Sequence, residues 1–342
     1  MLRLVPKRGK PVQLQLGSVV HEYMDIYYTF LQKNKKRPDL VAFHNIAIDE
    51  VLKKHARKSA ADIDYLHRHP EDFKDQEEID DILRLPDKAR AIAQMYFDTR
   101  GRHDAEEYDV LAVELRRNTQ IAKRIHSQAA VDLVTRHKST GRIHMWEHKT
   151  AKNIPNLAVR LVDIQTLTYK PMVEAALEVK VSTVNWNYLR TKLPDEPKLI
   201  YVGTKREAIS TAQNVDTTWP IFLEACKKFG KDPADYAEMK ARLKDRELNA
   251  FFPRLEQRIL TTDRMLEEYD IIARRIHRAR RSWEAGESEP LHMIEYTCQW
   301  CEFWEICKAW ALGADYEDII DDRFNVRPKG GEMNGTQDAS AE

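Results

Sequence analysis

From Gly17 onward apolar side chains recur at spacings of three and four, as in Val20, Met24, Tyr27, Tyr28 and Leu31, and this rhythm predicts a helical region over residues 17–108. Pro38, Pro70, Pro86 and Gly101 should break it into separate helices joined by charged loops. Ahead of it, residues 1–16 are basic, contain Pro6, Gly9 and Pro11, and read as an extended lead-in. A second rhythm then takes over. β-Branched or aromatic residues alternate with polar ones over residues 110–115, 131–151 and 181–187, and again at Tyr201 and Val202, which predicts short strands within a core segment at 109–215. Helical patterning returns over 216–290, with a strongly charged stretch at 227–281, followed by a cysteine-bearing segment at 291–312. Residues 328–342, rich in Gly, Ser, Asn and acid, read as a disordered tail. This order predicts an α/β fold, a small mixed central β-sheet flanked by helices, with large helical insertions.

Composition narrows the class. With 342 residues, 42% of them hydrophobic, the chain can bury a sizeable core. No apolar run approaches the roughly 20 residues that span a bilayer, and no secretion signal opens the chain, so a soluble cytoplasmic protein without a membrane partner is expected. Lys plus Arg and Asp plus Glu both number 55, so any attraction to nucleic acid must come from local patches. Three of the four cysteines, Cys298, Cys301 and Cys307, fall within ten residues, which in a reducing compartment suggests a metal site rather than disulfides. Cys226 stands apart and reads as a buried small hydrophobe.

The chemistry concentrates in residues 131–151, VDLVTRHKSTGRIHMWEHKTA, where Asp132 precedes Glu147 and Lys149 across a glycine-containing turn. Side chains alternate along a strand, so turn length decides whether these groups meet. A two- or four-residue turn around Ser139 to Gly141 pairs Asp132 with Glu147 or Lys149 and sets all three on one face with Ile143 and Met145; a three-residue turn separates them. Neighbouring carboxylates repel unless a cation lies between them, and Mg²⁺ takes such oxygen ligands together with phosphate oxygens. Lys149 could then position or deprotonate a water, or stabilise charge on a phosphate, giving metal-assisted phosphodiester hydrolysis. Glu114, on the preceding strand, could add a ligand or orient one. The same residues also suit a cross-strand ion pair on an exposed sheet face.

Flanking motifs extend the pattern. LGSVVHEY supplies His21 four residues after Gly17, DIQTLTY supplies Gln165 and Tyr169 at helical i, i+4 spacing, and CQWCEFWEIC supplies the three cysteines. In this order the chain resembles the RecB-type branch of the PD-(D/E)xK nuclease superfamily, and most of all the phage and CRISPR-associated iron-sulfur exonucleases, over roughly residues 12–312. The resemblance implies His21, Asp132 and Glu147 as ligands of Mg²⁺ or Mn²⁺, Lys149 as the catalytic lysine, and Gln165 and Tyr169 as contacts to the DNA strand that steady the site. It also implies a DNA exonuclease acting on single-stranded ends in phage or prokaryotic DNA recombination or replication. An endonuclease or repair nuclease of the same superfamily, or a catalytically silent DNA-binding scaffold, are the alternatives. The chain departs from the family twice: Ala129 stands where glycine is frequent, and Pro171 follows Tyr169 closely enough that the helix carrying the Gln165 motif should kink there or begin later.

C-x2-C-x5-C interleaved with Trp300, Phe303 and Trp304 suits a segment wrapped round a soft metal or cluster, and a [4Fe-4S] cluster takes four thiolates. In the resembling exonucleases the fourth cysteine lies upstream of the histidine motif, where this chain has none. Three readings stay open: the chain starts late and lacks that cysteine, which we favour; Cys226 folds back; or another ligand such as His292 completes a Zn²⁺ site. Three buried cysteines without metal are the plain alternative. For DNA contact, Arg274, Arg278 and Arg281 form a helical stripe with Arg275 beside it, and Lys33, Lys35, Lys36 and Arg37, then Lys53, Lys54, Arg57 and Lys58, form two further basic clusters.

Overall fold

The computed structural model describes residues 4–6, 12–34, 39–70, 76–122, 125–157, 160, 165–202, 206–258, 271, 274–275, 277–278, 281–282, 285 and 303–326. Its N-terminal part runs β1 (Leu4–Pro6), α1 (Val12–Lys33), α2 (Leu40–Arg68), α3 (Gln76–Leu83), α4 (Leu85–Tyr96) and α5 (Arg102–Glu107). Helix α1 therefore begins five residues before Gly17, inside the expected lead-in, and β1 pairs with the strand Phe324–Val326 near the other end of the chain. Asp39 caps α2, its Oδ1 accepting from the N–H groups of Val41 at 2.9 Å and Ala42 at 3.2 Å. Pro86 sits in the first turn of α4, where its missing N–H costs nothing. Gly101 does not break the helix as expected. A π-turn, Phe97–Gly101, carries α4 into α5, and the main-chain carbonyl of the buried Gly101 accepts from the Tyr27 hydroxyl at 2.9 Å.

Then come β2 (Tyr108–Ala122), β3 (Ile125–His137), β4 (Ile143–Ala151), α6 (Gln165–Leu177) and β5 (Val181–Arg190), the small hairpin β6 (Leu199–Val202) and β7 (Arg206–Ile209), helices α7 (Trp219–Lys228) and α8 (Ala237–Leu243), and β8 (Arg254–Arg258). One five-stranded sheet has the order β2-β3-β4-β5-β8. Only β4 and β5 are parallel, joined by the α6 crossover, so the sheet is mixed. β8 lies within the charged stretch expected to be helical. RLEQR has little strand propensity, and what makes it a strand is pairing with β5 at the sheet edge, a tertiary contact that overrides local preference. It also takes the sheet beyond the expected 109–215 core.

Alternation along the strands gives two cores. Trp146 of β4 and Leu189 of β5 pack with α1, α2 and α4, whereas Ile143 and Met145 of β4, with Val184 and Trp186 of β5, pack with Met172 and Val173 of α6. A third cluster gathers Ile209 with Phe222, Ala225 and Cys226 of α7 and Met239 and Leu243 of α8. Among the described residues, no helix is long and apolar enough to cross a membrane. The tail at 328–342 lies outside them.

Candidate active site

Register brings three carboxylates into line. The β3–β4 pairs run from Arg136↔Ile143 to Leu133↔Trp146 around a four-residue turn, 138–141, in which Gly141 takes the left-handed backbone at φ 69°. One step further on, that register sets Asp132 opposite Glu147. On the other flank, Val113↔Leu133 and Leu115↔Val131 set Glu114 opposite Asp132. Glu114 itself has φ 48°, a conformation that costs a non-glycine residue on the order of 1 kcal/mol. The β3–β4 ladder stops at Leu133↔Trp146, and Oδ2 of Asp132 accepts from the main-chain N–H of His148 at 2.6 Å, using a donor the interrupted ladder leaves open.

Glu147 and Lys149 follow Ile143 and Met145 toward α6. There Nε2 of Gln165 donates to Oε1 of Glu147 at 2.9 Å and to the Tyr169 hydroxyl at 2.7 Å, while Nζ of Lys149 donates to the same Oε1 at 2.5 Å. Oε2 of Glu147 is buried and, among the described residues, has no hydrogen-bond partner. Helix α6 starts at Gln165 and keeps the exposed Pro171 in its interior, so the motif lies on the first turns of one helix rather than ahead of it.

The other wall is α1. A Cβ on Gly17 would stand 2.7 Å from Oγ1 of Thr150, so glycine is what lets α1 approach β4 this closely. One turn later, the ring of His21 meets that of His148 edge-on at 6.2 Å between centroids. Burial, then the Lys149 charge, lowers the His21 pKa against the opposing pull of Glu147 and Glu114, which favours the neutral imidazole. Burial pushes Asp132 up to about 6, helped by Glu114 and opposed by the His148 N–H. Glu147 is also raised, by burial first and Asp132 second, against Lys149 and Gln165. Asp25, one turn beyond His21, is raised to about 8 by burial and then by Glu114 and Asp132. The sequence reading missed Asp25; its i+4 spacing from His21 was the available signal.

The other candidates fall elsewhere. Cys298 and Cys301 lie outside the described residues, as does His292, and Cys307 is half-buried on the helix Trp304–Ala311. Cys226 is buried in the third apolar cluster, where burial raises its thiol pKa, the reverse of what a ligating thiolate needs. Arg274, Arg275, Arg278 and Arg281 are helical and exposed. Lys33, Lys53 and Lys54 are exposed too, Lys54 bonding Glu22 at 2.6 Å; Lys35, Lys36 and Arg37 lie outside the described residues.

Asp132 and Glu147-x-Lys149 on paired strands are thus closed in by the helix of Gly17 and His21 and the helix of Gln165 and Tyr169, and the family model of the PD-(D/E)XK nuclease superfamily matches residues 1–308. The chain belongs to the PD-(D/E)XK nuclease superfamily. No curated protein matches it. PD-(D/E)XK nucleases typically use Mg²⁺ or Mn²⁺. Among the described residues, no three of His, Cys, Asp and Glu are drawn closely enough together to enclose an ion; Lys149 instead rests on Glu147. The donors nevertheless fit a hard divalent cation. Asp132 and Glu147 face each other in register, the Asp132 charge raises the cost of ionising Glu147, and among the described residues one buried oxygen of Glu147 lacks a partner. In this PD-(D/E)XK site, Asp132 and Glu147 would hold the ion, with His21 of α1, electrostatically coupled to Glu147, as the candidate nitrogen donor.

Proposed function

We propose that this PD-(D/E)XK protein is a metal-dependent DNA exonuclease of the RecB-type branch, acting on single-stranded ends in phage or prokaryotic DNA recombination or replication. The observation that carries hydrolysis is the register-matched Asp132 and Glu147, with Lys149 on Oε1 of Glu147 and Gln165 holding that same oxygen. A bound Mg²⁺ or Mn²⁺ supplies charge neutralisation and Lewis acidity at the scissile phosphate. The chain's own groups do the rest. The His148 N–H and the Gln165 amide orient the two carboxylates, and Tyr169 fixes Gln165. Lys149, two residues from Glu147 and part-exposed, is the proton-handling or charge-stabilising group at the attacking water. Strand and end preference are what the resemblance to the iron-sulfur exonucleases implies, and in this reading Cys298, Cys301 and Cys307 belong to an iron-sulfur or zinc segment.

Labelled linear and circular single-stranded DNA, incubated with Mg²⁺ or Mn²⁺ and either wild type, Asp132→Ala or Lys149→Ala, tests this. Linear DNA should be degraded and circles spared, with each variant slower by on the order of a hundredfold or more. Cleaved circles would make the protein an endonuclease. Equal degradation by all three proteins would overturn the site, and binding without degradation by any of them would identify a silent scaffold. Visible absorbance after anaerobic purification, with iron and zinc analysis, decides the cysteine segment.

A further inference from the structure

Behind β4, on the side opposite Glu147, lies a chain of buried polar groups that the sequence does not announce. Arg254 of β8, largely buried, grips Asp104 of α5 with both ends of its guanidinium, Nη1 to Oδ1 at 2.6 Å and Nη2 to Oδ2 at 2.7 Å. Its Nη2 also donates to the Tyr96 hydroxyl at 2.9 Å and its Nε to Oδ1 of Asn187 at 2.8 Å, and the guanidinium lies over the Trp146 ring at 4.8 Å. A guanidinium can only donate, so Oδ1 is the acceptor and the Asn187 amide has one orientation. Nδ2 of Asn187 then donates to Nδ1 of His148 at 2.9 Å and to Tyr96 at 3.1 Å. That leaves the proton of the neutral His148 ring on Nε2.

Two catalytic elements hang from this chain. His148 lies between Glu147 and Lys149, and its main-chain N–H holds Asp132. Tyr28 of α1, two turns after His21, donates its hydroxyl to Oδ2 of Asp104 at 2.5 Å and stacks its ring on His148, centroids 5.8 Å apart and planes within 10°. A buried ion pair adds little net stability over apolar residues of the same size, but its directional bonds fix the orientation of whatever they touch.

We propose that Arg254, Asp104, Asn187 and Tyr28 are positioning residues: a single buried ion pair ties β4, through Asn187 and His148, to α1, through Tyr28, and so keeps His21 in place against Asp132 and Glu147. The kinetic part of this rests on the nuclease reading above; the structural part does not.

In the full-length protein, Asn187→Leu preserves side-chain size and removes the amide, while Tyr28→Phe keeps the ring stack and removes the hydroxyl. Both should weaken Mn²⁺ binding, read from the paramagnetic resonance of free Mn²⁺, by about tenfold or more, and lower kcat by a similar factor with KM for DNA unchanged. Asn187→Leu should also speed amide hydrogen exchange over residues 143–151, measured without metal. Phe222→Leu, in the separate α7–α8 cluster, supplies a protein destabilised elsewhere, which should keep wild-type Mn²⁺ affinity, kcat and exchange over 143–151. Variants at 187 and 28 that match Phe222→Leu in all three would overturn the proposal. If wild type neither binds Mn²⁺ nor cuts DNA, the nuclease reading fails on its own, and the exchange comparison still decides whether Asn187 holds β4.

Discussion

Asp25 carries the clearest electrostatic consequence of the site. Its carboxyl is held up to about 8 by burial and by the neighbouring Glu114 and Asp132, whereas in the unfolded chain it should titrate at about 3.9. A carboxyl raised on folding stabilises the protonated native state, so its contribution is complete below the unfolded value and is lost as pH rises through the folded one. Metal-free wild type should therefore lose stability relative to Asp25→Asn between about pH 4 and about pH 8. Urea unfolding of both proteins across that range measures the difference, and a pH-independent gap would remove Asp25 from the acidic cluster. Asp132 moves in the same direction, up to about 6. Since a cation needs it ionised, Mn²⁺ affinity should fall as pH drops through that value, which calorimetric titration at several pH values can read.

At the scale of elements, α1 and β4 meet because residue 17 has no side chain. Gly17→Ala would drive a Cβ to 2.7 Å from Oγ1 of Thr150, and the helix or the strand must yield. A loss of about 1–3 kcal/mol is expected by urea unfolding, most of it recovered in the Gly17→Ala, Thr150→Ala double variant, where the obstructing oxygen is gone. A penalty equally large in the double variant would mean that the glycine serves backbone freedom instead. The spacing Gly17-x3-His21 was legible because both residues lie on one helix and 3.6-residue periodicity places them. Gln165 and Tyr169 were legible for the same reason, and their helix accommodates Pro171. The Asp132–Glu147 pairing was conditional, since strand alternation gives the faces but turn length sets their parity, and residues 138–141 supply a four-residue turn.

The whole molecule is joined through Asp104 and Arg254. These two residues, 150 positions apart in the chain, bridge the N-terminal helices and the edge strand of the sheet. Asp104→Ala would leave a guanidinium buried without its counter-charge, and a stability loss of about 3–5 kcal/mol is expected by urea unfolding, well beyond that of an exposed pair such as Arg90–Asp49. A loss under about 1 kcal/mol would mean that water reaches Arg254 and that the pair is a surface feature.

Read alone, the sequence determined what local periodicity and short motifs can carry: the helical first third, the strands of the sheet's centre, and the superfamily that the motif order points to. Tertiary structure decided the remainder. β8 became a strand by pairing with β5, the helix ran on through Gly101 with its carbonyl bonded to Tyr27, and Asp25 joined the carboxylates. In each case the deciding partner is distant in sequence, and burial, pairing and charge depend on what arrives from elsewhere in the chain.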